Sequence, residues 1–151
     1  MREIVQSEPR SNFDFESKLE SAMLQKKLKR RNIEKIESLP KVKGFLNSIG
    51  RNSKNSKRSY STGLALLQDY LDSEVFQQRY TGSYDYKCDC ETILEPLFQN
   101  KINVYEFFDG FVSFILASKP DIAPRSLSLY LIATRSYFAF YDIDVIPSKF
   151  K

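Results

Sequence analysis

Apolar side chains recur at helical spacing along most of this chain. In the stretch "SKNSKRSYSTGLALLQDYL", residues 53 to 71, Tyr60, Leu64, Leu67 and Leu71 stand at i, i+4, i+7 and i+11, the mark of a helix with one buried stripe. Ser56 is placed to cap it. Upstream, Pro40 opens "PKVKGFLNSIG", a short helix with Val42, Phe45, Leu46 and Ile49 inward and Gly50 as its C-terminal stop. Downstream, Asn103 and Glu106 form a capping-box pattern ahead of "VYEFFDGFVSFILASK". Phe107, Phe108, Phe111, Phe114, Ile115 and Leu116 make that segment the most apolar, so it is expected at the centre. Pro120 ends it, Pro124 suits a first helical turn, and "RSLSLYLIATRSYFAFYDI" runs helical to about Asp142.

The remaining segments carry weaker signals. Residues 13 to 38 are rich in Glu, Lys, Leu and Met without Gly or Pro, which favours helix, but their apolar positions are too irregular for a sustained heptad seam. They read as a helical arm with a basic patch, "QKKLKRR", at residues 25 to 31. A short helix fits "ETILEPLFQN", and residues 73 to 90, with "TGSYDYKCDC", read as a loop. No strand-like alternation of useful length occurs. The expected fold is therefore all-α, a compact bundle of four to five helices with an N-terminal helical arm.

On a wheel at about 100° per residue the last helix has two faces. Leu127, Tyr130, Leu131, Thr134, Phe138 and Tyr141 cluster on one; Arg125, Ser128, Ile132 and Arg135 fall together on another. The second face has arginines and no acid, which suits a DNA groove, where acids would repel phosphate and arginine bonds phosphate or guanine.

Charge sharpens this picture. The 151 residues carry a net charge of +4, unevenly spread. Between Glu37 and Asp69 no acid occurs, whereas Lys41, Lys43, Arg51, Lys54, Lys57 and Arg58 do. From Asp69 to Asp109 nine acids outnumber Arg79, Lys87 and Lys101. An electrically two-sided molecule is expected, its basic side suited to a polyanion. The basic start of the 53–71 helix fits the same reading: Lys54, Asn55, Lys57, Arg58 and Ser59 at a helix N-terminus, where N–H groups are unpaired, make a phosphate clamp.

Composition excludes several classes. Histidine is absent, which weakens most hydrolase and metalloenzyme readings. Cys88 and Cys90, one residue apart, suit neither a disulfide nor a four-ligand zinc site. No run of about 18 apolar residues offers a membrane span, and "MREIVQSEPR" lacks the apolar stretch of a signal peptide, so a cytoplasmic setting without membrane contact is expected.

Two ordered motifs resemble the core-binding, SAM-like domain of the tyrosine recombinase (phage integrase) family. Ser53, Ser56, Tyr60, Leu64, Leu67, Tyr70 and Leu71 match one family helix, with Leu67 where Phe is frequent. Ser126, Leu127, Tyr130, Leu131, Arg135, Tyr137 and Phe138 match another, and "VYEFFDGFVSFI" takes the place of the helix before it. The resemblance spans residues 39 to 145, leaving residues 1 to 38 as the arm and 146 to 151 as a linker stub. It implies double-stranded DNA as partner, bound through Lys54, Asn55, Lys57, Arg58, Ser59, Arg125, Ser128 and Arg135. A catalytic recombinase domain, or further recombinase protomers, would be the other partners. The family's catalytic Arg, Lys, His-x-x-Arg and Tyr belong to a separate domain, so no enzymatic activity, metal or cofactor is expected here. The acidic half leaves open a second reading, a small helical protein–protein interaction module that does not touch DNA.

Overall fold

The computed structural model describes residues 2–80 and 88–145, excepting the side chains of residues 2–14, 25 and 28–31. Seven helices and no strand occur among the described residues. They are α1 (Arg2–Glu37), α2 (Pro40–Gly50), α3 (Lys54–Asp72), α4 (Glu74–Tyr80), α5 (Leu94–Phe98), α6 (Val104–Ser118) and α7 (Pro124–Phe140). The chain divides into two compact units, Met1–Arg31 and Asn32–Lys151. Among the described residues no helix is long and apolar enough to cross a membrane.

The second unit begins earlier than Leu39 because the last turns of α1 belong to its core. Ile36 is fully buried, the Asn32 side-chain amide donates to Asp69, and Ser61 Oγ donates to Glu37 Oε1 at 3.1 Å. Around them pack α2 to α7, an all-α bundle. The centre is α3 rather than the more apolar α6. Leu64, Leu67, Tyr70 and Leu71 of α3 are all 0% exposed, and α3 packs against α2, α4, α6 and α7. The α6 helix buries Phe107, Phe108, Phe111 and Ile115 along one side, and its Leu116 remains 45% exposed. Tyr70 carries the link between the two: its ring lies within 6 Å of Phe76, Phe107, Phe111 and Phe114. Burying each such side chain stabilises by roughly 1.5–3 kcal/mol.

Local chemistry accounts for the element ends and for three departures from the sequence-based expectation. Ser53, not Ser56, caps α3: its backbone is extended (φ −161°) and its Oγ accepts from Ser56 N at 3.2 Å. Gly50 is the last residue of α2, yet Arg51 stays right-handed (φ −61°), so no left-handed glycine ends that helix. The expected loop from residue 73 is helical over Glu74–Tyr80, because Ser73 Oγ accepts from Phe76 N at 3.3 Å and Phe76 is driven into the core. The rest of that loop, residues 81–87, and the linker stub, residues 146–151, lie outside the described residues. Two helices end on left-handed residues, Asn100 (φ 59°) after α5 and Asp142 (φ 65°) after α7. At the second, Ile143 N donates to Phe138 O at 2.9 Å and Asp142 N to Ala139 O at 3.0 Å, the paired bonds of a Schellman turn. That turn folds Ile143 back onto the core and brings Val145 beside α7.

Cys88 and Cys90 are free and buried. Cys90 pins its segment to the bundle: its N–H donates to Gln68 Oε1, its thiol to Leu64 O, and its carbonyl accepts from Tyr137 Oη at 2.6 Å. Burial first, and Asp89 second, push both thiols above their ordinary range, Cys88 to about 12.

Candidate nucleic-acid interface

A serine cap and an acid-free sequence together build the basic end of α3. With Ser53 in the capping position, Lys54, Asn55, Ser56 and Lys57 form the first turn, and Arg58 follows directly. The first turn holds no acid and the last turn holds no base. Asp69 and Asp72 occupy the other end, about 22 and 27 Å from Lys54 at 1.5 Å per residue. Each end thus carries the sign that its own helix dipole disfavours, since peptide N–H groups make the N-terminus positive and carbonyls make the C-terminus negative. At the acidic end, burial and then the neighbouring Asp72 raise Asp69 above the ordinary carboxylate value of 3.8, against the opposing pull of the Asn32 hydrogen bond and Lys119.

The cations of the acid-free run do not all gather at one place. Lys54, Asn55 and Arg58 are exposed on the first turns of α3 and Ser59 is half-buried beside them. Lys57 folds back over α2 instead: its Cδ stands 2.9 Å from where a Gly50 Cβ would be, and its Nζ donates to Asn47 Oδ1 at 3.4 Å. Lys41 turns away, its ammonium 5.5 Å from the centre of the Tyr141 ring, while its backbone N–H donates to Glu91 Oε2. Arg51, exposed at the α2–α3 corner three residues before Lys54, was not among the expected site residues. Its signal in the sequence was membership of the same acid-free run.

The α7 helix presents the second set. Arg125, Ser128, Ile132 and Arg135 are all exposed, as the wheel predicts; the buried residues are Ala133, Thr134, Tyr137 and Phe138, of which only Thr134 and Phe138 belong to the expected inward face, because α3 packs against the side that carries Tyr130 and Ala133. Arg135 is partly engaged: its Nη2 donates to Val145 O at 3.4 Å, across a shallow hollow of about 300 Å³ that Ile132, Ser136, Ala139 and Asp144 also line. The two helices meet at Gly63, where an added Cβ would stand 2.9 Å from Ala133 Cβ and 3.3 Å from Tyr130 Cα and O. From that crossing, Lys54 is about 13 Å along α3, and Arg125 about 7 Å from Tyr130 along α7, by axial rise. Both sets are thus carried by the two helices that cross at Gly63.

No family model, curated protein or solved structure matches this chain. The likeness to recombinase core-binding domains rests on the two helix motifs alone, and those motifs are the helices that meet at Gly63. Ser53, the first residue of the earlier motif, is the cap of α3. Within these motifs Tyr60, Tyr70, Tyr137 and Phe138 serve the core: Tyr60 stacks on Phe45 at 6.0 Å, and Phe138 meets Phe107 and Phe108. The polar motif positions, by contrast, lie at helix starts and on the exposed face of α7.

Proposed function

We propose that the unit Asn32–Lys151 binds double-stranded DNA, as the core-binding half of a tyrosine recombinase acting in DNA integration and recombination. The observation that carries this reading is the start of α3, where the exposed Lys54 and Arg58 load cations onto the positive end of a helix that has no acid there. Like charge at a helix end costs roughly 0.3–1 kcal/mol per group, so folding stability does not account for the arrangement, whereas phosphate oxygens satisfy the side chains and the free N–H groups together. Lys54, Arg51 and Arg58 hold the backbone; Arg125, Ser128 and Arg135 on α7 approach base edges or their flanking phosphates. Strand cleavage falls to a catalytic domain, since the chain has no histidine for the His-x-x-Arg pair. Free, buried thiols suit a cytoplasmic setting.

The acidic end of α3 favours a second reading, a helical protein-interaction module. Fluorescence anisotropy with a generic duplex at several salt concentrations separates the two. Contact with roughly four to six phosphates gives a slope of log K against log salt of about −4 to −5. Absence of binding, or a flat salt response, overturns the DNA reading and leaves the protein-interaction module.

A further inference from the structure

The unit Met1–Arg31 contains the first part of α1 and no other described helix. Within it Phe15 is 68% exposed, Leu19 51% and Met23 58%. At about 100° per residue, Phe15, Leu19, Ala22 and Met23 fall in one sector about 100° wide, while Leu24 lies outside it. A helix face of this kind gains stability only when covered.

Two features of the polar residues say what covers it. Lys26 falls inside the same sector and ends the apolar run after two turns. The charges are also biased along the helix, with Glu16 and Glu20, and Lys18 between them, beside Phe15 and Leu19, and Lys26 and Lys27 past Met23, all exposed. In a parallel pair each Lys26 would face its own copy across the seam. In an antiparallel pair with Leu19 opposite Ala22, Phe15 stands opposite Lys26, so the ammonium lies over the ring and beside Glu16 of the other copy. We infer that residues 15 to 27 are a self-association surface, on which a second copy of this chain docks antiparallel about a two-fold axis. Such an interface is self-complementary and closes at the dimer. A seam of two turns buries less than the roughly 800 Å² per partner of stable complexes. The dimer therefore belongs to the range of about 10 µM to 1 mM.

Sedimentation velocity on the full chain across that range tests the inference. The wild type rises to twice the monomer mass and stops there. Leu19→Glu stays monomeric while the unfolding midpoint of the bundle is unchanged. Glu16→Lys and Lys26→Glu each weaken association by about five- to tenfold, and the chain carrying both returns to within about threefold of wild type, because only antiparallel pairing sets residue 16 against residue 26. A wild type monomeric at about 1 mM, growth past the dimer, a dimer indifferent to Leu19→Glu, or a double variant no better than the singles would each overturn the inference.

Discussion

Replacing Gly63 by alanine sets two calculable effects against each other. Alanine inside a helix is favoured over glycine by about 1 kcal/mol, so propensity alone makes Gly63→Ala stabilising. The new methyl, however, would stand 2.9 Å from Ala133 Cβ and 3.3 Å from the Tyr130 Cα and carbonyl oxygen. Neither neighbour is a flexible side-chain end, and Ala133 is 0% exposed, so relief requires α3 and α7 to move apart. Overpacking of this kind costs about 1–3 kcal/mol, and more where backbone must shift. The expected net loss is about 1–2 kcal/mol, a fall in the melting midpoint of about 3–8 °C for a unit of this size. Thermal and urea denaturation of the single variant, of Ala133→Gly and of the double variant complete a cycle. Moving the methyl from Ala133 to position 63 should recover at least about 1 kcal/mol of coupling. A rise in midpoint for Gly63→Ala, or additive effects in the double variant, would refute the close helix crossing as the element that spaces the two faces.

Three further outcomes follow from the same geometry. Replacing both Lys54 and Arg58 by alanine should raise the melting midpoint, because it removes charge that opposes the helix dipole, and should make the salt slope of duplex binding shallower by about 2; a lowered midpoint would contradict the first half. Arg135→Ala should weaken duplex binding by about 1–3 kcal/mol in anisotropy titrations, with the midpoint nearly unchanged, since the bond it loses to Val145 O is long and exposed at 3.4 Å. Stability should also fall as pH rises from about 9 toward 12. Burial, then Asp89, lifts Cys88 from 9.0 to about 12, and burial, then Tyr80, lifts Tyr70 from 10.0 to about 12, so the unfolded chain sheds these protons first and gains on the native state. Below pH 9 both states hold the protons and these groups contribute no slope. A urea midpoint constant up to about pH 11 would contradict this.

Helices with several apolar residues per face were legible in the residues themselves. The stripes of α3 and α7 follow the 3.6-residue period and mark both helices, but burial departs from them: α3 also buries Ser61, Gly63, Ala65, Leu66 and Gln68 because it has partners on several sides, and of the expected inward residues of α7 only Thr134 and Phe138 are buried. The α4 helix was not legible because it buries a single side chain, Phe76, while its neighbour Val75 stays exposed, and one inward residue in seven has no period. The choice between Ser53 and Ser56 as cap was equally closed to inspection, since two serines three apart offer the same hydroxyl to the same kind of N–H. Centrality misled for a physical reason: apolar content measures how much of a helix can be buried, whereas position depends on how many sides find partners. In the candidate site, the acid-free run put cations at the start of α3, where Lys54 and Arg58 are exposed. It could not reveal that Lys57 would lie across Gly50 or that Lys41 would turn to Tyr141, because those directions depend on neighbouring helices. Arg135 was placed on the correct face, but its bond to Val145 arises from the left-handed Asp142, a conformation that no periodicity announces.

The reversed charges of α3 reach beyond its two ends because that helix touches α2, α4, α6 and α7. A ligand bound to a peripheral loop stiffens the loop; a ligand bound to the first turn of a hub acts on the cooperative unit as a whole. Polyanion bound at Lys54 and Arg58 removes repulsion from the element on which α2, α4, α6 and α7 lean, so its binding free energy adds to the stability of the bundle as RT ln(1 + [L]/Kd). At a hundredfold excess over Kd that is about 2.7 kcal/mol, a sizeable fraction of what holds a small domain together. Amide exchange in the buried middle of α3, far from any phosphate, would then slow in proportion to occupancy, and the bundle would be most resistant to unfolding and proteolysis where nucleic acid is concentrated.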